Sequence, residues 1–466
     1  MKRRPNLVGY LTFAAFAVAF AYFQFAYPYH LIRREQLTLF LFDRSYIAQT
    51  YSGAGWLARL SADFLCQFFG LSAAGPLITA LLLAGIAYLT YRIFRHFAGN
   101  GIALTAAVLM FLWSFFRENE NLFVTRYTVV TLGYLALVAA ALKIRRPLYK
   151  VAAAVAFLSF GVWGLGSPYH QYYGKLWGTP NLKYEKMIAL DVESSRENWD
   201  KVLKLSRKDL RMVEASYLYN LACAKKGALG ENLLKHSQSG AGTLFLWVTP
   251  EVSPFSNSIA GEVWYHLGDM TLAEQSAMVA MQSSPNHSGT RYIERLAKVN
   301  LISGEDGAAQ KYLNVLSKTL FYRRWALEML SEEYDEQTRE WIMKYRANLP
   351  EKDIVSDGKD IRPILKALVE TNPNNTMAKE YLLCYDLMTY DLVSFAEDYT
   401  GDVPEGSIYQ EARLIYINLI NDNDISGVDL EALGISQQTM DRLERFYRAP
   451  SRYKNTYWYL YLQATS

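Results

Sequence analysis

The stretch "YHLGDMTLAEQSAMVAMQSSPN", residues 265–286, decides how the second half of the chain is read. After Gly268, the small residues Ala273, Ala277 and Ala280 recur at near-helical spacing, and Pro285 closes the stretch. Gly261 and Trp264 stand seven and four residues before Gly268. Small side chains on one helical face let two backbones approach closely. A glycine between the helices serves the turn, and proline cannot continue the second helix. The spacing predicts an antiparallel helix pair packed through a seam of small residues.

The pattern returns in "LAKVNLISGEDGAAQKYLNVLSKTL" (296–320), where Gly304 takes the turn, Ala309 the small position, and Leu313 and Leu316 the packing positions. A weaker copy is "YLYNLACAKKGALGENLLKH" (217–236), with Ala222 and Gly227. Another begins at a Pro-Asn turn, "NPNNTMAKEYLLCYDLMTYDLVSFAEDY" (372–399). Together these resemble tetratricopeptide (TPR) repeats. The resemblance implies an all-α, TPR-like solenoid over 184–466, since one hairpin cannot bury its own apolar face and several must stack. The closing "RYKNTYWYLYLQ" would cap it.

Two stretches interrupt this array. "SGAGTLFLWVTPEVSPFSNS" (239–258) reads as an inserted loop, with Phe245, Trp247 and Phe255 either in the core or facing a partner. "NDNDISGVDLEALG" (421–434) starts like a calcium loop, but its twelfth position carries no carboxylate. An inter-helix turn is the expectation there.

The first half is of another kind. Apolar segments at about 7–27, 76–94, 101–116, 122–142 and 151–166 read as five membrane spans, a span needing about 20 residues. Arg126 lies near the start of the fourth, where a long side chain can reach the interface. Between the first two spans, an outer loop at 28–75 contains an amphipathic stretch with Trp56, Leu57, Leu60, Phe64, Phe68 and Phe69 on one face and Arg59, Asp63 and Gln67 on the other. That pattern predicts a helix lying along the bilayer surface. A linker at 168–183 would join the halves.

Basic clusters at Lys2-Arg3-Arg4, at Arg92 and Arg95, and at Lys143, Arg145, Arg146 and Lys150 fall on one side if all five segments span. The positive-inside rule then puts the amino terminus in the cytoplasm and the carboxyl-terminal domain outside. In a bacterium this means the inner membrane and the periplasm. A cleaved signal peptide is the alternative reading of the first span and leaves the rest of the topology unchanged.

The 466 residues are half hydrophobic and carry a net charge of only +3. Without a long basic run, nucleic acid is not an expected partner. Cys66, Cys223 and Cys384 lack metal-site spacing and read as small buried apolar residues; no resident metal or other cofactor is expected. The six histidines are scattered, and no Walker loop, GxSxG or HExxH occurs.

One layout suggests chemistry. The order of span, charged loop, flat helix, "FFG", span, basic turn, span and "RENEN" (117–121) is similar to the start of the GT-C fold. GT-C enzymes transfer sugars from polyprenyl-phosphate donors and keep catalytic acids in the first outer loop. The resemblance implies Glu35, then Asp43, as the acid, serving as a general base or holding a divalent metal. It implies Arg33, Arg34 and Arg117 as contacts to a lipid phosphate. Five spans are fewer than such enzymes carry, and no adjacent pair of acids stands in the loop.

As a whole the chain also resembles a family of uncharacterised multi-span envelope proteins of the Bacteroidota, through "EQLTLF" (35–40), "NPNNTMAKEYLL" (372–383) and "YQEARL" (409–414). The expected function is therefore a membrane protein that presents a periplasmic helical domain to a protein or glycoconjugate partner. The alternative is a lipid-linked-sugar transferase.

Overall fold

The computed structural model describes residues 7–120, 124–166, 178–207, 212–249, 251–284, 287–351, 360–399, 407–422 and 424–465. Among them every regular element is helical. Contacts divide the chain into two units. The first is Met1–Ile188 with Pro285–Glu294 and Lys311–Glu332; the second is Ala189–Ser284, Arg295–Gln310 and Glu333–Ser466. Two segments expected within the repeat region thus belong to the first unit, and most of the expected linker at 168–183 lies outside the described residues.

The first unit begins with α1 (Leu7–Ala21), prolonged by a π-helical turn, Tyr22–Ala26. Short helices α2 (Tyr29–Gln36), α3 (Arg44–Thr50) and α4 (Trp56–Cys66) follow. Then come α5 (Ala74–Phe97), α6 (Asn100–Arg117), α7 (Val124–Leu142) and α8 (Pro147–Phe160). Four stretches, Leu7–Ala26, α5, α6 and α7, are apolar and long enough to cross a membrane. They pack through alanine: Ala15 and Ala19 of α1 share a core with Ala80, Leu83 and Ala87 of α5, and Ala103 and Ala107 of α6 pack with Tyr91. Where lipid removes the hydrophobic drive between helices, close backbone approach through small residues holds them together. Phe13 and Phe25 face outward, 70% and 80% exposed, as lipid-facing groups would be.

The fifth expected span, 151–166, is present as an apolar helical stretch but falls short of the length of the other four. Its apolar helical stretch runs only Val151–Leu165, the α-helix proper ends at Phe160, and a π-turn leads to Gly166 in the left-handed region. Helix α4 leaves part of its aromatic edge outward but buries part of its polar edge. It packs through Ala58, Ala62, Asp63 and Cys66, with Phe64 outward. Part of the edge that looked solvent-facing is buried, because alanines at i and i+4 allow closer packing than the aromatic edge. Arg126 does not reach outward; its guanidinium grips Asp63 at 3.0 and 2.7 Å.

The second unit starts within α9 (Leu182–Ser195) and continues through α10 (Trp199–Leu205), α11 (Val213–Lys225) and the single turn α12 (Leu229–Asn232). Next are α13 (Pro254–Leu267), α14 (Met270–Ser283), α15 (Thr290–Ser303) and α16 (Asp306–Leu316). After α17 (Arg323–Leu330), which belongs to the first unit, follow α18 (Glu336–Arg346), α19 (Ile361–Thr371), α20 (Thr376–Met388) and α21 (Leu392–Asp398). The chain closes with α22 (Ser407–Ile420), α23 (Gln437–Arg448) and α24 (Tyr457–Thr465).

The opening stretch forms the hairpin α13–α14. Ser253 caps its first helix, Pro254 sits at the first helical position, and Gly268 ends that helix at φ +111. Asp269 then caps α14 through Leu272 N–H at 2.9 Å. A Cβ on Gly261 would lie 2.8 Å from Ser276 Cβ and 3.2 Å from Ala273 O, so glycine sets the distance between the two helices. Trp264, Ala273, Ala277 and Ala280 are buried around this seam, and Pro285 lies outside the described residues. In the later copy Gly304 has φ +78 and Ala309 is buried. In the inserted loop Phe245 stacks on Trp264 at 4.6 Å and Phe255 is buried, whereas Trp247 is exposed. Asp424 accepts hydrogen bonds from Ser426 N–H and Oγ, forming a local turn. All three cysteines are unpaired and buried.

Candidate functional site

Helix α2 is the focus of the first unit. It is only eight residues long and mostly polar, yet His30, Leu31, Arg33, Arg34, Glu35 and Gln36 are all buried. Burying charge is costly unless each group finds a partner. The chain supplies partners from distant segments.

At its amino end, Tyr29 and His30 N–H donate to the two carboxylate oxygens of Glu185, at 2.6 and 3.1 Å. A carboxylate there satisfies donors that no helical carbonyl can reach and complements the helix dipole. Burial pushes the Glu185 carboxyl up to about 7, against the stabilising pull of these two N–H donors. His30 Nδ1 lies 3.6 Å from the same carboxylate. Burial, then the positive charge of Arg34, holds the imidazole well below its usual value, so His30 is neutral.

One turn on, Arg34 reads the turn after α6. Its Nη1 meets Glu118 Oε2 at 2.6 Å, and its Nη2 donates to the carbonyls of Glu118 and Glu120, each at 2.7 Å. Thr128 Oγ1 also donates to Glu118. Arg117 lies over the rings of Trp113 and Tyr127, at 4.7 and 4.9 Å from their centroids. Glu35 Oε1 accepts from Tyr322 Oη at 3.1 Å, and Gly70 leaves room for its other oxygen.

Asp43 is placed differently. It caps α3 through Tyr46 N–H and pairs with Lys318 Nζ at 2.8 Å. The hydrogen bond from Lys318, aided by Ser45 and Tyr46, holds its carboxyl well below the usual carboxylate range.

The residues singled out from sequence therefore do not form one acid–base site. Arg34 and Glu35 share α2 but face different partners, Arg117 is stacked between aromatic rings, and Asp43 serves a helix cap. Arg33 is buried on the same helix. Among the described residues no group of His, Cys, Asp and Glu is arranged to hold a metal ion. Sequence reading passed over Glu118, Glu185, His30 and the Asp63–Arg126 pair. For Glu118, Asp63 and Arg126 the only signal was charge inside a largely apolar half, which does not say which charges meet; Glu185 lies beyond that half and His30 is neutral.

No curated protein and no solved structure matches the chain. Residues 3–174 and 169–464 match a family of unknown function, DUF6057, and over nearly its whole length the chain belongs to that family.

Proposed function

We propose that this protein is an integral inner-membrane protein of the bacterial cell envelope. The first unit anchors it, and the TPR-like helices of the second unit bind a periplasmic protein or glycoconjugate. The observation that carries the reading is the internal use of the charges on and around α2. Arg34, Glu35 and Asp43 each engage a segment of their own unit, at Glu118, Tyr322 and Lys318. This is what an anchor needs to fix its extramembrane turns. A transferase would instead aim an acid and a cation together at a lipid-linked substrate. The outward placement of the second unit rests on the distribution of lysine and arginine around the apolar helices and on the shorter fifth helix, Val151–Leu165, crossing with the other four.

Two measurements test this reading. In a cysteine-free background, Gln438→Cys is expected to react with a membrane-impermeant maleimide on intact spheroplasts, and Arg95→Cys only after permeabilisation. The reverse pattern overturns the orientation. Glu35→Ala and Asp43→Ala are expected to leave the envelope glycan profile unchanged while the protein accumulates. A lost glycan overturns the anchoring role and restores the transferase.

A further inference from the structure

The second unit contains a cavity of about 350 Å³, a size usual for small-molecule sites, lined by Lys225, His266, Lys344, Tyr345, asparagines and the start of α20. Its chemistry is one-sided. Among the described residues neither Lys225 nor Lys344 has a carboxylate within ion-pair distance. Lys225 Nζ lies 3.4 Å from His266 Nδ1, which also meets Tyr345 Oη at 2.9 Å. Burial and then the charges of Lys225, Arg295 and other cations hold His266 well below its usual value, so the ring is neutral, and because the Lys225 ammonium can only donate, Nδ1 accepts. Burial lowers Lys225 from its usual value, Glu197 opposes this, and Lys344 adds to it.

Neutral donors point the same way. Asn348 accepts from Asn372 Nδ2 at 2.7 Å, which leaves the Asn348 amide N–H groups to donate. At the start of α20, Asn375 takes Ala378 N–H at 3.1 Å and Asn374 O takes Thr376 N–H at 2.9 Å. Met377 also lines the cavity, and its N–H takes part in neither bond. Two lysines with no carboxylate within ion-pair distance, Glu197 acting on Lys225 only from farther away, together with an amide left to donate and a helix amino terminus, make a cavity suited to negative charge.

We propose that this cavity binds a small polar ligand carrying a carboxylate or a phosphate, with the anionic group seated between Lys225 and Lys344. The site stands whichever side of the membrane the unit faces. The test is titration of the full chain in detergent with glucuronate, inorganic phosphate and neutral glucose, followed by calorimetry. At least one anion is expected to bind about tenfold more tightly than glucose, with affinity falling as salt rises. Stronger binding of glucuronate assigns a carboxylate ligand, and stronger binding of phosphate assigns a phosphate. Lys344→Gln, at an exposed position that does not threaten folding, is expected to weaken the preferred anion about fivefold. Lys225→Gln should do the same. Equal binding of glucose, failure of both anions to bind, or an unchanged affinity in Lys344→Gln would overturn the proposal.

Discussion

Arg34 and Glu118 meet at 2.6 Å across 84 positions of sequence, and Arg126 and Asp63 across 63. Gly261 meets Ser276 on the very next helix. Around α2 and α4 the first unit thus fixes its short helices by charge pairs between remote segments, whereas the α13–α14 hairpin is set by the absence of a side chain between near neighbours. The two devices fail differently. A charge pair that loses one member leaves the other buried and unsolvated. A steric seam that gains a methyl group has only to spread.

The largest effect follows from the first device. Glu118→Ala strands the Arg34 guanidinium, which is almost fully buried. Breaking a buried pair from one side costs about 3–5 kcal/mol. The expected result is a large loss of thermal stability in detergent, read by aggregation onset. The double variant Arg34→Met with Glu118→Leu should recover much of it, because no charge is then left buried. A double variant as unstable as the single one would mean that the bonds to the Glu118 and Glu120 carbonyls, not the ion pair, hold the turn.

The turn of that hairpin gives a smaller effect, through a clash with a remote segment. Gly268 has φ +111, and a Cβ there would lie 2.3 Å from the carbonyl oxygen of Asn348. Gly268→Ala combines backbone strain with overlap against a main-chain atom that cannot rotate away, at a cost of about 3 kcal/mol. Urea denaturation monitored by tryptophan fluorescence measures it. A cost near zero would show that the hairpin relaxes freely and that its glycines set the turn only loosely.

The same contrast explains what was legible in the sequence. The Gly-Ala-Pro spacing of 265–286 points to a helix pair because the partners are adjacent in the chain and the period is helical. The long apolar runs of α1, α5, α6 and α7 were equally plain, since length and hydropathy alone mark them. The charge pairs were not. Nothing local tells Arg34 that its partner is Glu118, or Arg126 that its partner is Asp63, so Arg126 read as a snorkelling residue and Asp63 as an exposed one. Residues 311–332 posed the same difficulty. They continue the helical rhythm of the repeats, yet Lys318 O accepts Phe42 N–H at 2.7 Å and Phe321 packs against Phe68. Periodicity locates a helix but not the unit it joins.

The smallest effect sharpens the comparison further, because it concerns a buried acid in the second unit with no arginine beside it. Glu380 is 1% exposed and accepts from Leu229 N–H at 3.4 Å. Burial pushes its carboxyl from 4.5 up to about 7, opposed by the N–H groups of Leu229 and Gly230. The folded state therefore holds this proton more tightly than the unfolded chain does. Its contribution is fully present below about 4.5 and is lost as pH rises through about 7. Stability should fall by about 2 kcal/mol across that interval from this group alone. Glu380→Gln, neutral at every pH, keeps a carbonyl oxygen for Leu229 N–H and should flatten that part of the profile. Its advantage over the parent should be visible at pH values above the transition and vanish below it, in urea titrations at several pH values. An equal shift at all pH values would mean that Glu380 stays ionised when buried. In that case the backbone donors of α12 would be doing for it what Arg34 does for Glu118, and the two regions would differ less in how they hold a buried charge than in where they find its partner.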